Sequence, residues 1–523
     1  MTTVDFPILT VLIVLPLATA GLLLFLPNPA SARRFALVAS LAELLLSLIL
    51  LGLFDFGSAK LQLIERAVWI PSLNVFYTVG VDGFSILFPP LTALLTSAVI
   101  AASWTQIQTQ VRLYLALTFV LESATLGVFC ALDLALFFLF WELTLIPIFF
   151  LVSLWGIGPQ RRYAASKYTL FMLAGGVPLL FGIILLALNH AEQIGMSAPR
   201  GLSFDYLTLL HVPVSEEMRT AVFLLLFLGF AVKVPLFPFH TWLPTIAMEG
   251  PAGVSALITG LKLGLYGLMR FAIPLVPDAA GENIWILTVL GTVGLLYGAL
   301  IALKQTNLRR LLAYSSISHA GFVVIGLATL NHQGVQGALF QLINFTVVSG
   351  GIFLLAGFLH HRLGSTELSN LGGLARSMPL LTAFFFLFGI AAMGVPGTNG
   401  FAAEHLIIIG AFKAHAGAGL AALFGVILGA AYFLGFFQRA FWGPLRLNPI
   451  RTASDLRPRE SALAVILIAL VFLGGLVPGI VTTASAPAVT AWVARIDAAG
   501  GPSPYAELPE NLRITKVKSL SGG

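Results

Sequence analysis

The chain has 523 residues, of which 58% are hydrophobic and only 10% charged, and its mean hydropathy is +0.97. Soluble domains carry about 25% charged residues. This composition therefore excludes a soluble enzyme, and it also excludes a disordered chain, a coiled coil or a nucleic-acid-binding protein, each of which needs more charge. The 28 Lys and Arg exceed the 22 Asp and Glu by six, which we interpret as membrane topology and not as a surface for nucleic acid.

Apolar runs of about 20 residues recur along the chain, each long enough to cross a hydrocarbon core of about 30 Å. We predict an all-α integral membrane protein, surrounded by lipid, with about 14 transmembrane helices. In the tail 484–523, Pro, Gly and Ser predict the end of the helical pattern and disorder. The predicted spans, in chain order, are 8–27, 35–56, 83–103, 113–131, 134–156, 168–189, 220–240, 251–274, 284–303, 313–330, 335–359, 379–412, 417–438 and 462–483.

Cofactor motifs are absent from the sequence. The single cysteine, Cys130, excludes iron–sulfur clusters and disulfide frameworks. There is no phosphate-binding loop and no metal-ligand spacing among the nine histidines. We therefore expect no cofactor, metal or redox centre in this chain, so that electrons in any associated redox reaction travel elsewhere.

Basic residues are distributed unequally between the two sets of loops. The loops on the side of residues 28–34 contain sixteen Lys and Arg, whereas those on the opposite side contain six. Because cytoplasmic loops are enriched in Lys and Arg, we predict that the first set faces the cytoplasm. With an even number of spans, both termini then face away from the cytoplasm.

A few ionisable residues fall inside the predicted spans. A charge at mid-bilayer costs roughly 2.5–3.5 kcal/mol on insertion scales, so each is a functional candidate. Alternating acids and bases at depth are what a proton path requires, because small changes in pairing move the proton. The alternative is a set of static buried ion pairs that fix helix packing. The candidates are Glu122, Glu142, Lys233, Lys262 and Glu404, with His240 and His319.

Two spans contain helix-breaking residues. Lys233 is followed by Pro235 and Pro238, and span 379–412 contains Gly394 and Pro396. Paired broken helices are typical of inverted-repeat transporters, where the breaks lie at the ion site. The alternative is that these prolines only kink packed helices.

The two breaks are five spans apart, and an odd number of spans per unit makes two such units inverted relative to each other. We therefore predict two inverted five-helix units, each with one broken helix. The predicted division of the chain is into N-terminal helices (1–110), a first antiporter-like half (111–275), a second, inverted half (276–440), and a last helix with its tail (441–523).

Three segments carry a resemblance to a known family. They are FFLFWELTLIPIFFLVSLWG (137–156), KVPLFPFHTWLP (233–244) and NLRRLLAYSSISHAGFVVIG (307–326). Together they resemble the antiporter-like membrane subunits of respiratory complex I and the Mrp cation/proton antiporters, and most closely the chain 4 type of NAD(P)H:quinone oxidoreductase. The resemblance covers about residues 80–440 and implies proton pumping beside other membrane and hydrophilic subunits, which handle the electrons.

The resemblance also implies roles for single residues. Glu142 resembles the family's essential glutamate, Lys233 the lysine of the first broken helix, and Lys262 the connecting lysine. His319 resembles the central histidine, and Glu404 the terminal residue of the second broken helix, where a glutamate favours the chain 4 type. Glu122 matches a further carboxylate of the family.

One departure from the family pattern follows HTWLP. Thr245 and Ala247 occupy the positions where family members usually carry an acidic residue and a histidine. We expect a thinner polar cluster there and a specialised paralogue, similar to those of cyanobacterial complexes that serve carbon dioxide uptake. A thylakoid membrane follows from that placement, with a bacterial plasma membrane as the alternative. The other functions left open are a free-standing sodium/proton antiporter and a scaffold subunit that moves no ions.

Overall fold

A computed structural model of the protein describes residues 6–444 and 448–498. The first part of the chain forms two helices, a hairpin and five further helices. The hairpin pairs β1 (Gln62–Ile70) with β2 (Val75–Val81) in antiparallel fashion. The predicted helical membrane fold is confirmed, and this hairpin is an addition that the sequence did not indicate. The helices are α1 (Ile8–Phe25), α2 (Pro29–Leu53), α3 (Phe88–Ser103), α4 (Val111–Cys130), α5 (Leu134–Leu143), α6 (Leu145–Trp155) and α7 (Arg161–Gln193).

The middle of the chain contains several short helices, because the backbone is interrupted after Lys233 and again at Leu261 and Lys262. A π-helical segment, Leu268–Ala272, follows α12. The helices are α8 (Tyr206–His211), α9 (Glu216–Lys233), α10 (Trp242–Glu249), α11 (Ala252–Gly260), α12 (Leu263–Gly267), α13 (Ile273–Leu275), α14 (Pro277–Glu282) and α15 (Ile284–Leu303).

The last part of the chain repeats this alternation of long and interrupted helices. A second π-helical segment, Phe345–Ser349, joins α17 to α18. The helices are α16 (Leu308–Ala328), α17 (His332–Asn344), α18 (Gly350–Leu363), α19 (Leu374–Ser377), α20 (Pro379–Ala392), α21 (Asn399–Ala414), α22 (Ala416–Phe441), α23 (Asn448–Thr452), α24 (Pro458–Leu476) and α25 (Gly479–Asp497).

Helices at the centre of the molecule are buried on nearly all sides, whereas peripheral helices expose broad apolar faces. The segments α4, α11–α13, α16 and α17–α18 are the most buried, and α2 and α24 the least. Large apolar side chains such as Leu45 and Leu170 are exposed on the outer helices. Such a surface is stable against lipid or another apolar protein surface and not against water. The chain is therefore an integral membrane protein, as predicted.

The number of spans is not settled at 14. Among the described residues, eleven helical segments are long and apolar enough to cross a membrane. The predicted spans 83–103, 220–240 and 379–412 correspond instead to the shorter helix α3 and to the broken helices α9–α10 and α20–α21. The unit boundaries at residues 110, 275 and 440 stay a prediction.

Two further expectations need correction. The tail was expected to lose its helical pattern at residue 484, but α25 continues to Asp497; residues 499–523 lie outside the described part. Arg270 was one of the six basic residues counted in the loops opposite residues 28–34, but it is buried in the π-helical segment and forms an ion pair with Asp82. The predicted span 251–274 corresponds to Ala252–Leu275, which is interrupted at Lys262.

Candidate functional site

A cavity in the first half of the protein brings three of the predicted residues together. Its lining includes Glu122 on α4, Lys233 at the end of α9 and Lys262 at the break before α12. The centres of water molecules fit over about 40 Å³ of this space, and roughly 10–15 Å³ is enough for one water. The three charged groups are therefore linked by a space that can hold water.

Helix α9 ends at Lys233 because Pro235 supplies no amide hydrogen and adopts a φ of 30°. The carbonyl of Val232, which a continuous helix would have satisfied, accepts a hydrogen bond from the indole Nε1 of Trp242 at 2.9 Å. This replacement is what allows a helix break to persist inside the protein. Trp242 begins α10, so the second half of the broken helix satisfies the first.

The ammonium group of Lys233 is held by neutral groups on either side of Glu142. Its Nζ donates to the carbonyl of Trp141 at 3.2 Å and to Thr144 Oγ1 at 2.9 Å, and it lies 3.9 Å from the centroid of the Trp141 ring. Among the described residues, Lys233 and Glu142 are not within ion-pair distance. The Oε1 atom of Glu142 is buried without a hydrogen bond, next to Gly176 on α7. Glu142 and Lys233, two of the predicted site residues, are thus near each other but not paired in this structure.

Lys262 occupies a second interruption, which packs directly on the first. A Cβ atom added to Gly264 would lie 2.7 Å from the backbone nitrogen of Val234, so only glycine permits this approach of the two breaks. The Nζ of Lys262 donates to Ser316 Oγ on α16 at 2.7 Å. The same ammonium group lies 5.0 Å from the centroid of the Phe345 ring.

His319 lies one turn after Ser316 on α16 and contacts the second broken helix. Its Nδ1 is 2.8 Å from the carbonyl oxygen of Ser315, and its Nε2 is 3.0 Å from the carbonyl oxygen of Ala392. Carbonyl oxygens only accept hydrogen bonds, so both bonds form together only when the ring carries two protons. The Oε1 atom of Glu404 lies 3.5 Å from Nε2, within ion-pair distance when both groups are charged.

The break between α20 and α21 positions Glu404. Gly394 has a φ of +66° and Gly397 a φ of +93°, which side-chain-bearing residues rarely adopt. A Cβ atom at Gly394 would collide with the carboxylate of Glu404. The exposed Pro396 lies between the two glycines. The break therefore ends α20, and Gly394 leaves room for the carboxylate of Glu404.

A second cavity surrounds His319 and is separated from the first. It is lined by His319, Ser315, Gln341, Asn344 and Tyr432, among others. The centres of water molecules fit over about 30 Å³ of this space.

The ring of Phe345, at the start of the second π-helical segment, also lines this second cavity. Its centroid is 6.5 Å from that of His319. Since Lys262 contacts the same ring, Phe345 stands between the lysine and the histidine.

His240 lies apart from the charged groups described above. Its ring is buried against Phe237, Tyr297 and Tyr314, with centroid separations of 5.8, 5.1 and 6.3 Å, and its Nδ1 has no hydrogen-bond partner. It lies beside the first break, next to Pro238, and lines neither of the two cavities.

The departure from the family pattern keeps a polar contact. The Nζ of Lys167 on α7 donates to the carbonyl of Thr241 at 2.9 Å and to Thr245 Oγ1 at 3.1 Å. Ala247 is fully buried and contributes no polar group. The polar cluster therefore lacks an acidic residue and a histidine at these two positions, as expected. Thr245 nevertheless accepts a hydrogen bond from the ammonium group of Lys167.

Near the hairpin, burial raises the pKa of Asp133 to about 6, although the amide groups of Phe76, Ala135 and Leu136 donate to this carboxylate and oppose the shift. Asp133 lies between α4 and α5 and caps the helix that carries Glu142. These hydrogen bonds fix the residue at which α5 begins.

Sequence reasoning missed the neutral partners of the charged groups. Thr144, Ser315, Ser316 and Phe345 carry no charge that singles them out in an apolar span, and neither does Tyr432, whose hydroxyl group lies 2.7 Å from Ser315 Oγ. The two serines stand one turn before His319 in the segment 307–326, which was a usable signal because hydroxyl groups at that spacing share a helix face.

Comparison of the sequence with known proteins gives matches over nearly its whole length. A family model described as "NADH:quinone oxidoreductase/Mrp antiporter, TM" matches residues 131–429. NADH-quinone oxidoreductase subunit M of Rhodobacter capsulatus is 37% identical over 493 residues, which make up 92% of this chain and 95% of that protein. NAD(P)H-quinone oxidoreductase chain 4 1 of Synechococcus sp. (strain JA-3-3Ab) is 36% identical over 497 residues, 91% of each chain.

Solved structures give the same result for the fold. A chain of respiratory complex I from Thermus thermophilus superposes with a TM-score of 0.84 at 32% identity, covering 93% of this chain and 99% of that one. A chain of the Mrp complex from Dietzia sp. DQ12-45-1b has a TM-score of 0.81 at 22% identity, covering 95% and 99%, and shows likeness of fold alone. Of the predicted site residues, only Glu122 lies outside the segment that the family model matches.

Proposed function

Because the chain belongs to the NADH:quinone oxidoreductase/Mrp antiporter transmembrane family, we propose that it translocates protons as a membrane subunit of a quinone oxidoreductase complex. Electron transfer takes place in other subunits, and this chain holds no cofactor of its own. The observation that carries the proposal is the row of titratable groups along the interior. Glu122, Lys233 and Lys262 line one cavity with room for water, His319 lines the next, and Glu404 lies 3.5 Å from His319.

The proton moves by changes in the pairing of Lys233. In the structure its ammonium group is bound to Trp141 and Thr144, while Glu142 is unpaired. When Lys233 turns to Glu142, the ion pair holds the proton on the lysine. When the pair opens, Lys233 releases the proton to water in the first cavity and so to Lys262.

The second stage passes the proton from Lys262 to Glu404. Lys262 already donates to Ser316, and His319 lies one turn further along the same helix. A proton that arrives at His319 is held by its two carbonyl contacts and by Glu404. Glu404 then releases it toward the side away from the cytoplasm.

The energy available from one pairing change is sufficient for this work. Two unit charges 4 Å apart attract by about 4 kcal/mol at an effective dielectric of about 20. Moving one charge across 100 mV costs about 2.3 kcal/mol. One pairing change at Lys233 therefore covers the transfer of one proton against a potential of that size.

Two alternatives from the same fold are less well supported. Relatives at 33–37% identity over about nine tenths of this chain are named as quinone oxidoreductase subunits, whereas the Mrp chain is 22% identical. This difference favours the oxidoreductase subunit over a free-standing sodium/proton antiporter. A scaffold that moves no ions would have no use for the unpaired Glu142 beside Lys233.

The proposed orientation places both termini away from the cytoplasm, as the count of basic loop residues indicates. Arg270 was counted among the six basic residues opposite residues 28–34, but it is buried. Without it, the excess of basic residues still lies on the side of residues 28–34. The assignment to cyanobacterial thylakoids and to carbon dioxide uptake stays a prediction, because relatives of similar identity come from Synechococcus and from Rhodobacter.

The proposal is tested in the intact complex, purified and reconstituted into vesicles. We expect Lys233→Ala and Glu142→Gln to abolish proton pumping while the complex still assembles, as mass analysis of the assembly would show. Matched controls are Glu217→Gln on the same helix as Lys233, and Lys413→Ala at the end of α21, both exposed. Unchanged pumping in both core variants would favour the scaffold. Proton flux that follows a sodium gradient without quinone would favour the antiporter.

A further inference from the structure

Helix α2 carries one buried carboxylate that the mechanism above does not use. Most of α2 is at least partly exposed, and its buried residues form a single stripe of Ala32, Ala36, Ser40, Glu43, Ser47 and Leu50. The side chain of Glu43 is 1% exposed, and neither carboxylate oxygen has a hydrogen-bond partner. A carboxylate placed in the protein interior at membrane depth is costly without a partner.

A second buried carboxylate, Glu122, lies on α4, which packs against α2. Glu122 and Glu43 are within electrostatic range of each other. Both oxygens of Glu122 are also buried without a hydrogen-bond partner. Among the described residues, neither glutamate forms an ion pair with a cation.

Few other charged or titratable groups surround this pair. Helices α1 and α3, which also pack on α2, contain no ionisable side chain, and α4 adds only Arg112 and Tyr114 near its beginning and Cys130 at its end. Of the elements packed on α4, β2 carries Tyr77, α5 carries Glu142 and α12 carries Tyr266. The remaining charged groups near Glu122 are those of the first cavity.

The first cavity connects the pair to the central row. Glu122 lines it together with Thr96, Lys233 and Lys262. Thr96 on α3 is completely buried, and its hydroxyl group approaches the carboxylate of Glu122 in the same space without reaching hydrogen-bond distance. An unpaired hydroxyl beside an unpaired carboxylate in a water-sized space is a place where a bridging water or an acid proton satisfies both.

We propose that Glu43 and Glu122 share one proton, which Glu122 exchanges with water in the first cavity. Two buried carboxyl groups within electrostatic range of each other cannot both stay ionised at low dielectric, so the pair holds a proton. The proton leaves the cavity water for Glu122 and passes to Glu43, and it returns by the same route. This inference rests on the proposed proton translocation. It adds a proton-storage site, called the store below, beside the main row of groups that runs from Lys233 through Lys262 and His319 to Glu404.

The store is a side branch and not an exit. Beyond Glu43, α2 presents Leu41, Leu45 and Leu48, all exposed and apolar, to the surroundings of this chain. Its other buried polar residues near Glu43, Ser40 and Ser47, donate to the carbonyls of Leu37 and Leu44 in their own helix. The described residues of α2 therefore offer no further proton acceptor.

The test is infrared difference spectroscopy of the intact purified complex during a pH change, in ordinary and in heavy water. We expect the wild type to show an absorption of a protonated carboxyl group that shifts in heavy water. Because the proton is shared, Glu43→Gln and Glu122→Gln should each remove this band, and Glu43→Asp should retain it. Ser47→Ala, one turn away on the same buried stripe, is the matched control and should leave it unchanged.

The outcomes separate this inference from the proposed function. Absence of an exchangeable carboxyl band in the wild type would overturn the store, as would its persistence in both Gln variants. If Lys233→Ala abolishes pumping while the band is unaffected by both Gln variants, only the store is wrong. If the band behaves as expected but Lys233→Ala pumps normally, the shared proton stands and the main row is wrong.

Discussion

The position of Lys233 in the structure gives a sharp prediction for Thr144. Its hydroxyl group is one of the two acceptors that hold the lysine away from Glu142, at 2.9 Å from Nζ. A hydrogen bond to a charged group contributes about 1.5–3 kcal/mol. Removing it with Thr144→Val should therefore shift the balance toward the Glu142-paired arrangement by roughly 10- to 100-fold. If the two arrangements are near balance, a shift of that size leaves the released one almost unpopulated.

The measurement is the number of protons pumped per quinone reduced, with the complex in sealed vesicles. We expect Thr144→Val to lower this ratio, and Thr144→Ser to restore it because the hydroxyl group returns. Thr118→Val is the matched control, since Thr118 is equally buried but donates only to the carbonyl of Tyr114 in its own helix. A wild-type ratio in Thr144→Val would refute the reasoning that this hydroxyl group holds the open state of Lys233.

Three further predictions concern the helix breaks and the barrier between the two cavities. Phe345→Leu removes the ring between the cavities, so we expect proton leakage through vesicles in the absence of turnover; an unchanged leak rate would show that the ring is no barrier. Gly264→Ala forces the two breaks apart, at a cost of about 1–3 kcal/mol for overpacking, and should lower the unfolding temperature of the purified complex, whereas Gly281→Ala, with open space around it, should not. Trp242→Phe leaves a buried carbonyl unpaired and should destabilise the protein by about 1–3 kcal/mol, measured against the exposed Trp285→Phe; equal denaturation midpoints would contradict this.

The charged members of the site were predictable because membrane spans tolerate few of them. Glu122, Glu142, Lys233, Lys262 and Glu404 stand out in apolar sequence, and four of these five lie in the segment that the family model matches. Their partners did not stand out. A threonine or serine inside a span costs little and is common, so its position on a helix face becomes informative only when the facing charge is known.

The helix breaks were predictable only in part. Pro235 and Pro238 remove backbone donors, and the glycines around Pro396 permit positive φ, so the sequence itself indicates interruptions there. The interruption at Lys262 has no proline. It occurs where glycines on α11 and α12 let the chain approach Val234 and Thr346 closely, and such an approach is a property of two segments together.

Composition and pattern alone determined that this chain spans a membrane many times, that it interrupts two of its helices, and that its interior contains a short row of acids and bases. These follow locally, because hydrocarbon excludes unpaired polar groups and because proline and glycine act on the backbone at their own positions. The tertiary structure decided which of these groups meet: that Lys233 binds Thr144 and not Glu142, that Phe345 separates Lys262 from His319, and that the helices carrying Glu43 and Glu122 pack against each other. Those contacts join residues distant in the chain, and their geometry depends on how whole helices pack, which no local spacing encodes.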